Sequence, residues 1–124
     1  MQTIRKKTVL IIDDSGFMRS LIKDIMQRNG FRVVGEAENG KIGAEKYKIL
    51  KPDIVTTDVI MDDGDGMSAL EQILEYDPNA KVIVISSMIS QKLFAEEALQ
   101  KGAKAVVDKP VEEVDLVNAI MSIF

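Results

Sequence analysis

Short apolar runs alternate with longer segments of helical periodicity along this chain. The runs are Val9-Leu10-Ile11-Ile12, Phe31 to Gly35, Asp53-Ile54-Val55-Thr56-Thr57, Lys81-Val82-Ile83-Val84-Ile85 and Ala105-Val106-Val107-Asp108. Unbroken hydrophobicity in the first and fourth of these marks strands buried on both faces. A first helix is predicted from Ser15 to Arg28, with Phe17, Met18, Leu21, Ile22, Ile25 and Met26 on its inner side. Ser15 caps its start and Asn29-Gly30 stops it in a left-handed turn. Asn39-Gly40 introduces a second helix that runs to about Leu50 and is stopped by Pro52. A loop from Val59 to Asp65 precedes a third helix ending near Tyr76, and Asp77-Pro78-Asn79 is a turn. The fourth helix spans about Gln91 to Lys101 and ends at Gly102. The last fills Glu112 to Ser122 with Val114, Val117, Ile120 and Met121 as its inner stripe, widened by Leu116, Ile123 and Phe124.

Five strand and helix pairs in strict alternation imply right-handed crossovers and an α/β fold, a doubly wound parallel sheet with helices on both faces. In such sheets ligands gather beyond the carboxyl ends of the strands, near a topological switch point. Polar residues follow four of these strands: Asp13-Asp14 after the first, Asp58 after the third, Ser86-Ser87 after the fourth and Lys109 after the fifth. The architecture therefore predicts that three carboxylates, a hydroxyl and an ammonium converge.

Composition narrows what such a site can do. At 124 residues and 46% hydrophobic content the chain suits one folded domain, residues 1–124. It has no His and no Cys, which removes an imidazole base, a thiol nucleophile and the usual zinc ligands. With a formal charge of −4 and no basic stripe there is no nucleic-acid footprint. The apolar run behind the basic start stops at Asp13, too soon for a signal-peptide core or a membrane span, so a cytoplasmic protein is expected.

Each polar position has a plainer reading by itself. Acids favour helix starts, serines satisfy strand ends, and most lysines are simply exposed. Ser15 is already a competent cap, however, so the Asp13-Asp14 pair exceeds what capping requires. Asp58 after a buried strand must be exposed, paired or metal-bound. The chemistry that uses all four positions is phosphoryl transfer to a carboxylate around a hard divalent cation, magnesium or manganese. The attacking carboxylate needs no histidine, Lys109 supplies a cation to the phosphate, and the serine hydroxyl responds to the new phosphoryl group.

These residues carry a family resemblance. Ile11-Ile12-Asp13-Asp14-Ser15 with Met18-Arg19, Asp53 to Asp58, Asp65-Gly66, Gly102-Ala103 and Lys109-Pro110 together closely resemble response-regulator receiver domains, most like the single-domain chemotaxis type. The resemblance implies a flavodoxin-like sheet of strand order 2-1-3-4-5. It also implies a cis Lys109-Pro110 peptide. It makes Asp58 the phosphoacceptor, Asp14 and Asp58 direct Mg²⁺ ligands, Asp13 a ligand mostly through water, and Ile60 a ligand through its backbone carbonyl. Ser86 resembles the switch hydroxyl, with Ser87 the alternative because the spacing to Lys109 is one residue longer than common.

The implied function is a two-component phospho-switch, not an enzyme beyond catalysing its own phosphorylation and slow dephosphorylation. A histidine kinase's phosphohistidine supplies the phosphoryl group, and a phosphatase removes it. A downstream protein reads the face formed by the fourth helix, fifth strand and fifth helix, on a chain expected to be a monomer or weak dimer without an output domain. Departures from pattern lie at Asp62, Gly64 and Val106, the last at a position commonly aromatic, so signalling is expected to rearrange the loop from Ser86 to Ser90, the fourth helix and the last strand without an aromatic rotamer change. Ile60 and Met88, both apolar, flank the acceptor. Two other readings stay open at this point: an aspartate-nucleophile phosphohydrolase, against which the adjacent acids and missing cap count, and a receiver-like scaffold that is never phosphorylated.

Overall fold

The computed structural model describes residues 6–58, 66–86 and 92–124. Five strands, β1 (Thr8–Ile12), β2 (Arg32–Ala37), β3 (Ile54–Asp58), β4 (Val82–Ser86) and β5 (Ala105–Asp108), alternate with α1 (Gly16–Arg28), α2 (Gly40–Leu50), α3 (Gly66–Tyr76), α4 (Lys92–Lys101) and α5 (Glu113–Ser122). The strands are all parallel and lie in the order β2-β1-β3-β4-β5, a flavodoxin-like doubly wound sheet as the sequence led one to expect. Among the described residues, no helix is long and apolar enough to cross a membrane.

Alternation along each strand explains the unbroken apolar runs, because successive side chains enter opposite layers. Leu10, Ile12, Val55, Val82 and Val84 pack with Ala44 and Tyr47 of α2, Leu70 and Ile73 of α3 and Ala98 of α4. Val9, Ile11, Ile54, Ile83 and Ile85 pack on the other face with Ile22, Ile25 and Met26 of α1 and Leu116 and Ile120 of α5. Helix ends follow the local chemistry. Ser15 Oγ accepts from the Met18 N–H and Asn39 Oδ1 from the Ile42 N–H, while Gly30 and Gly102 adopt positive φ where α1 and α4 stop. Gly43 is required by close approach, since a Cβ there would sit 2.4 Å from Ile12 Cδ1.

Three expectations are corrected. Strand β2 begins at Arg32, one residue after Phe31, and continues to Ala37. Phe17 is 78% exposed and does not share the buried face of α1. At about 100° per residue it is displaced by that angle from Met18, the first residue of the inner stripe. In α5 the stripe is misplaced: Val114 and Met121 are 59% and 67% exposed and Phe124 is exposed as well, whereas Leu116 and Ile120 are buried. Val114 and Met121 lie well over a quarter turn round the axis from Leu116. Apolar residues occupy so much of this helix that periodicity admits two stripes, and contact with the sheet selects one.

The edge of the sheet opposite the polar strand ends is closed by reciprocal polar pairs. Thr8 N and Oγ1 both donate to Asp53 Oδ2, and Asp53 N donates to Thr8 Oγ1. Tyr47 donates its hydroxyl to Asp77 Oδ2 at 2.8 Å, and Asp77 Oδ1 accepts from the Asn79 N–H to close the turn. Burial and this carboxylate push the Tyr47 phenol well above its ordinary value.

Thr56 is different. It is fully buried on β3, level with Ile11 and Ile83 on its neighbours, and its hydroxyl has no hydrogen-bond partner. An unsatisfied buried hydroxyl is destabilising, and valine has nearly its shape. Thr56→Val is expected to raise unfolding stability by about 1 kcal/mol, read as a higher urea midpoint at unchanged slope. A lower midpoint would contradict this reading of the hydroxyl.

Candidate functional site

Parallel register sets the strand ends level. Ile12 lies beside Thr57, Asp58 beside Ile85 and Ser86 beside Asp108, so the residues ending β1, β3, β4 and β5 meet at one edge. Asp13 and Asp14 leave β1 there, Asp58 is the last residue of β3, and Lys109 follows β5. One carboxylate oxygen from each of Asp13, Asp14 and Asp58 lies within 4.8 Å of the others. Asp58 is 5% exposed and its Oδ2 accepts from Lys109 Nζ at 2.8 Å, while the same ammonium lies 3.8 Å from Asp13 Oδ2. The Lys109-Pro110 peptide is cis.

Asp13 is the most buried of the three, at 1% exposure. Its N–H donates to the Ala37 carbonyl at 3.0 Å and its Oδ1 accepts from the Ser15 N–H at 2.9 Å. Its Oδ2 is buried and accepts no hydrogen bond. Burial raises the proton affinity of this carboxyl above the usual carboxylate range. The Ser15 N–H and the Lys109 ammonium oppose the rise, and the charges of Asp58 and Asp14 add to it. A buried oxygen that accepts no hydrogen bond, inside an all-oxygen cluster of acids, suits a hard divalent cation such as Mg²⁺ or Mn²⁺. Asp13, Asp14 and Asp58 are the residues that could hold one.

The structure thus brings four of the expected residues together. Ser86 ends β4 at the same edge, but its side chain is outside the described set, and so are Ile60, Ser87, Met88 and the acidic loop at 62–65. Val106 lies on β5 and lines a groove of about 460 Å³ between β5 and α5, together with Asp108, Asp115, Asn118 and Ser122. One contact lay outside the roles assigned from sequence. Arg19 donates from Nη1 to the Asp13 carbonyl at 2.8 Å. Its only sequence signal was its place shortly after the acid pair, within Met18-Arg19, and nothing local said which group it would reach.

The response regulator receiver domain model matches residues 9–121. The chemotaxis protein CheY of Thermotoga maritima is 47% identical over 114 residues, covering 92% of this chain and 94% of that protein. The chemotaxis protein CheY of Bacillus subtilis is 46% identical over 112 residues, covering 90% of this chain and 92% of that one. Among solved structures, the CheX-CheY-BeF3-Mg²⁺ complex of Borrelia burgdorferi superposes with a TM-score of 0.88 at 36% identity, covering 95% of this chain and 89% of the matched one. With an acid cluster at the carboxyl edge of a 2-1-3-4-5 sheet and these relatives over nearly its whole length, the chain belongs to the response regulator receiver domain family and is a signalling domain of two-component systems.

Proposed function

We propose that Asp58 is the phosphoacceptor of a Mg²⁺-dependent phospho-switch spanning residues 1–124, charged by a histidine kinase in a chemotaxis-like pathway of the cytoplasm. The observation that carries this reading is the Asp58 carboxylate paired with the Lys109 ammonium at 2.8 Å, beside a buried Asp13 oxygen that no hydrogen bond satisfies. Asp58 attacks phosphorus as the anion, a new O–P bond forms, and the P–N bond to the kinase imidazole breaks with its electron pair leaving on nitrogen. No general base is needed, which fits a chain without histidine. Lys109 turns from Asp58 to the incoming phosphoryl oxygens, which keeps a cation beside the growing negative charge. Asp13, Asp14 and Asp58 would hold the metal, Asp13 mostly through water, with the Ile60 carbonyl as the family resemblance implies, and the metal would neutralise phosphoryl oxygens.

Ser86, or Ser87 in its place, supplies the hydroxyl that answers the phosphoryl group. The downstream partner reads α4, β5 and α5, a face that includes the groove beside Val106. A partner of the CheX kind is the candidate for removing the phosphoryl group, consistent with the complex formed by the Borrelia relative.

Incubation with acetyl phosphate and Mg²⁺ tests the central claim. An acid-stable, hydroxylamine-labile phosphoryl label is expected on Asp58 and is abolished in Asp58→Asn. Rapid phosphate release without a label would point to a hydrolase, and no label with no release to a scaffold. Ile60 and Met88 offer no group to orient an attacking water. The label on the isolated protein is therefore expected to persist far beyond seconds in a phosphate-release assay, and decay within seconds would contradict this.

Burial of the Asp13 carboxyl opposes the fold once that group is ionised. Because the folded state raises the proton affinity of Asp13, it retains a proton that the unfolded chain has already released as pH climbs through the ordinary carboxylate range. This contribution to stability is present at low pH and is lost as pH rises through the raised value. In the presence of chelator, Asp13→Asn is expected to be more stable than the unaltered protein, with the gap widening from about pH 4 to about pH 7. Urea titrations at the two pH values check it, and a gap that narrows would overturn the assignment.

A further inference from the structure

We infer that Arg19 is a positioning residue for the acid pair, fixing through the Asp13 carbonyl the peptide plane that joins Asp13 to Asp14. This rests on the reading of these acids as the metal site. Arg19 sits at the end of the first turn of α1, and its guanidinium makes two divergent hydrogen bonds. Nη1 donates to the Asp13 carbonyl at 2.8 Å and Nε donates to Glu36 Oε1 at 3.2 Å. Glu36 lies on β2, one residue before the Ala37 carbonyl that accepts from the Asp13 N–H. Glu36 is itself tied at both ends. Its Oε2 is 3.6 Å from Lys23 Nζ and its backbone carbonyl accepts from Lys46 Nζ at 2.5 Å.

Asp13 is therefore held at its N–H by β2, at its carbonyl by Arg19 and at Oδ1 by the Ser15 N–H, and Oδ2 is left for a ligand. The carbonyl of Asp13 and the N–H of Asp14 belong to one rigid plane. Releasing that carbonyl lets the plane turn, and with it the direction in which Asp14 leaves the backbone. Arg19 reaches the backbone carbonyl of Asp13 and not its carboxylate, so it acts on the peptide plane. Its contribution is the geometry of a planar fork that reaches two acceptors at once. A lysine cannot reproduce this, because its single ammonium is not pre-organised to bridge them.

Supporting groups of this kind typically change metal affinity by about 10- to 100-fold when removed. The test is a Mn²⁺ titration of the unphosphorylated protein, reading free Mn²⁺ by electron paramagnetic resonance, with a thermal melt of each variant in chelator. Arg19→Ala and Arg19→Lys are each expected to weaken Mn²⁺ binding by about tenfold or more, and Glu36→Ala by a smaller factor because it frees only Nε. Arg28→Ala is the control. Arg28 lies on the same helix and pairs with Glu113 and Asp24, so its loss is expected to leave Mn²⁺ affinity unchanged whatever its effect on the melting temperature.

Mn²⁺ affinity within about twofold of the unaltered protein in Arg19→Ala, whatever its melting temperature, overturns the inference. Full affinity in Arg19→Lys overturns it as well, because charge alone would then suffice. If Arg19→Ala does not fold, Arg19→Lys and Glu36→Ala decide by the same criterion. Failure of the unaltered protein to bind Mn²⁺ would remove the metal-site reading itself, whereas equal binding by the unaltered and Arg19 variants removes this inference alone.

Discussion

Three carboxylates stand close enough at one edge of the sheet for their charges to oppose each other, and among the described residues the Lys109 ammonium lies between Asp58 and Asp13 and is set against them. The rest of the structure is arranged around this contact. Parallel register makes the strand ends level, and the two buried layers hold that register. Sliding a strand by one residue would send its inner side chains to the wrong face. Because Lys109 and the three acids come from the ends of β1, β3 and β5, their separation is fixed by strand pairing and not by the flexibility of their own side chains. A rigid frame can therefore hold like charges at a distance that a mobile one would relax.

The two edges of the sheet are built on opposite principles. At the amino edge, Thr8 with Asp53 and Tyr47 with Asp77 form closed polar pairs, and the turn at Asp77 satisfies its own backbone. At the carboxyl edge, Asp13 Oδ2 is buried with no hydrogen bond, and burial raises the proton affinity of that carboxyl. Groups kept for binding are left short of partners in the unbound state, and the stability lost there is made up elsewhere. In this chain the compensation is visible in two apolar layers that leave the central strands almost without exposed surface.

A switch also needs a surface able to change. The output face of the family reading combines α4, β5 and α5, and β5 is an edge strand whose outer side borders an open groove. Val106 occupies that strand with a side chain too short to swing between buried and exposed positions as an aromatic ring does.

Much of this was legible in the residues. Strand runs, the capping residues Ser15 and Asn39, the glycines ending α1 and α4, and the strand-end placement of Asp13, Asp14, Asp58 and Lys109 all depend on neighbours in the chain, so periodicity and residue type reveal them. The strand order and the cis Lys109-Pro110 peptide came with the family resemblance. Other features were decided by tertiary structure. Whether Leu116 or Val114 faces inward depends on where the sheet meets α5, and Phe17 is left outside because the sheet lies under Met18 and Leu21. Arg19 reaches the Asp13 carbonyl with Glu36 at its side because β2 lies against β1. Local order is written in short-range spacing, whereas the partner of a long side chain is settled by packing between segments far apart in the chain.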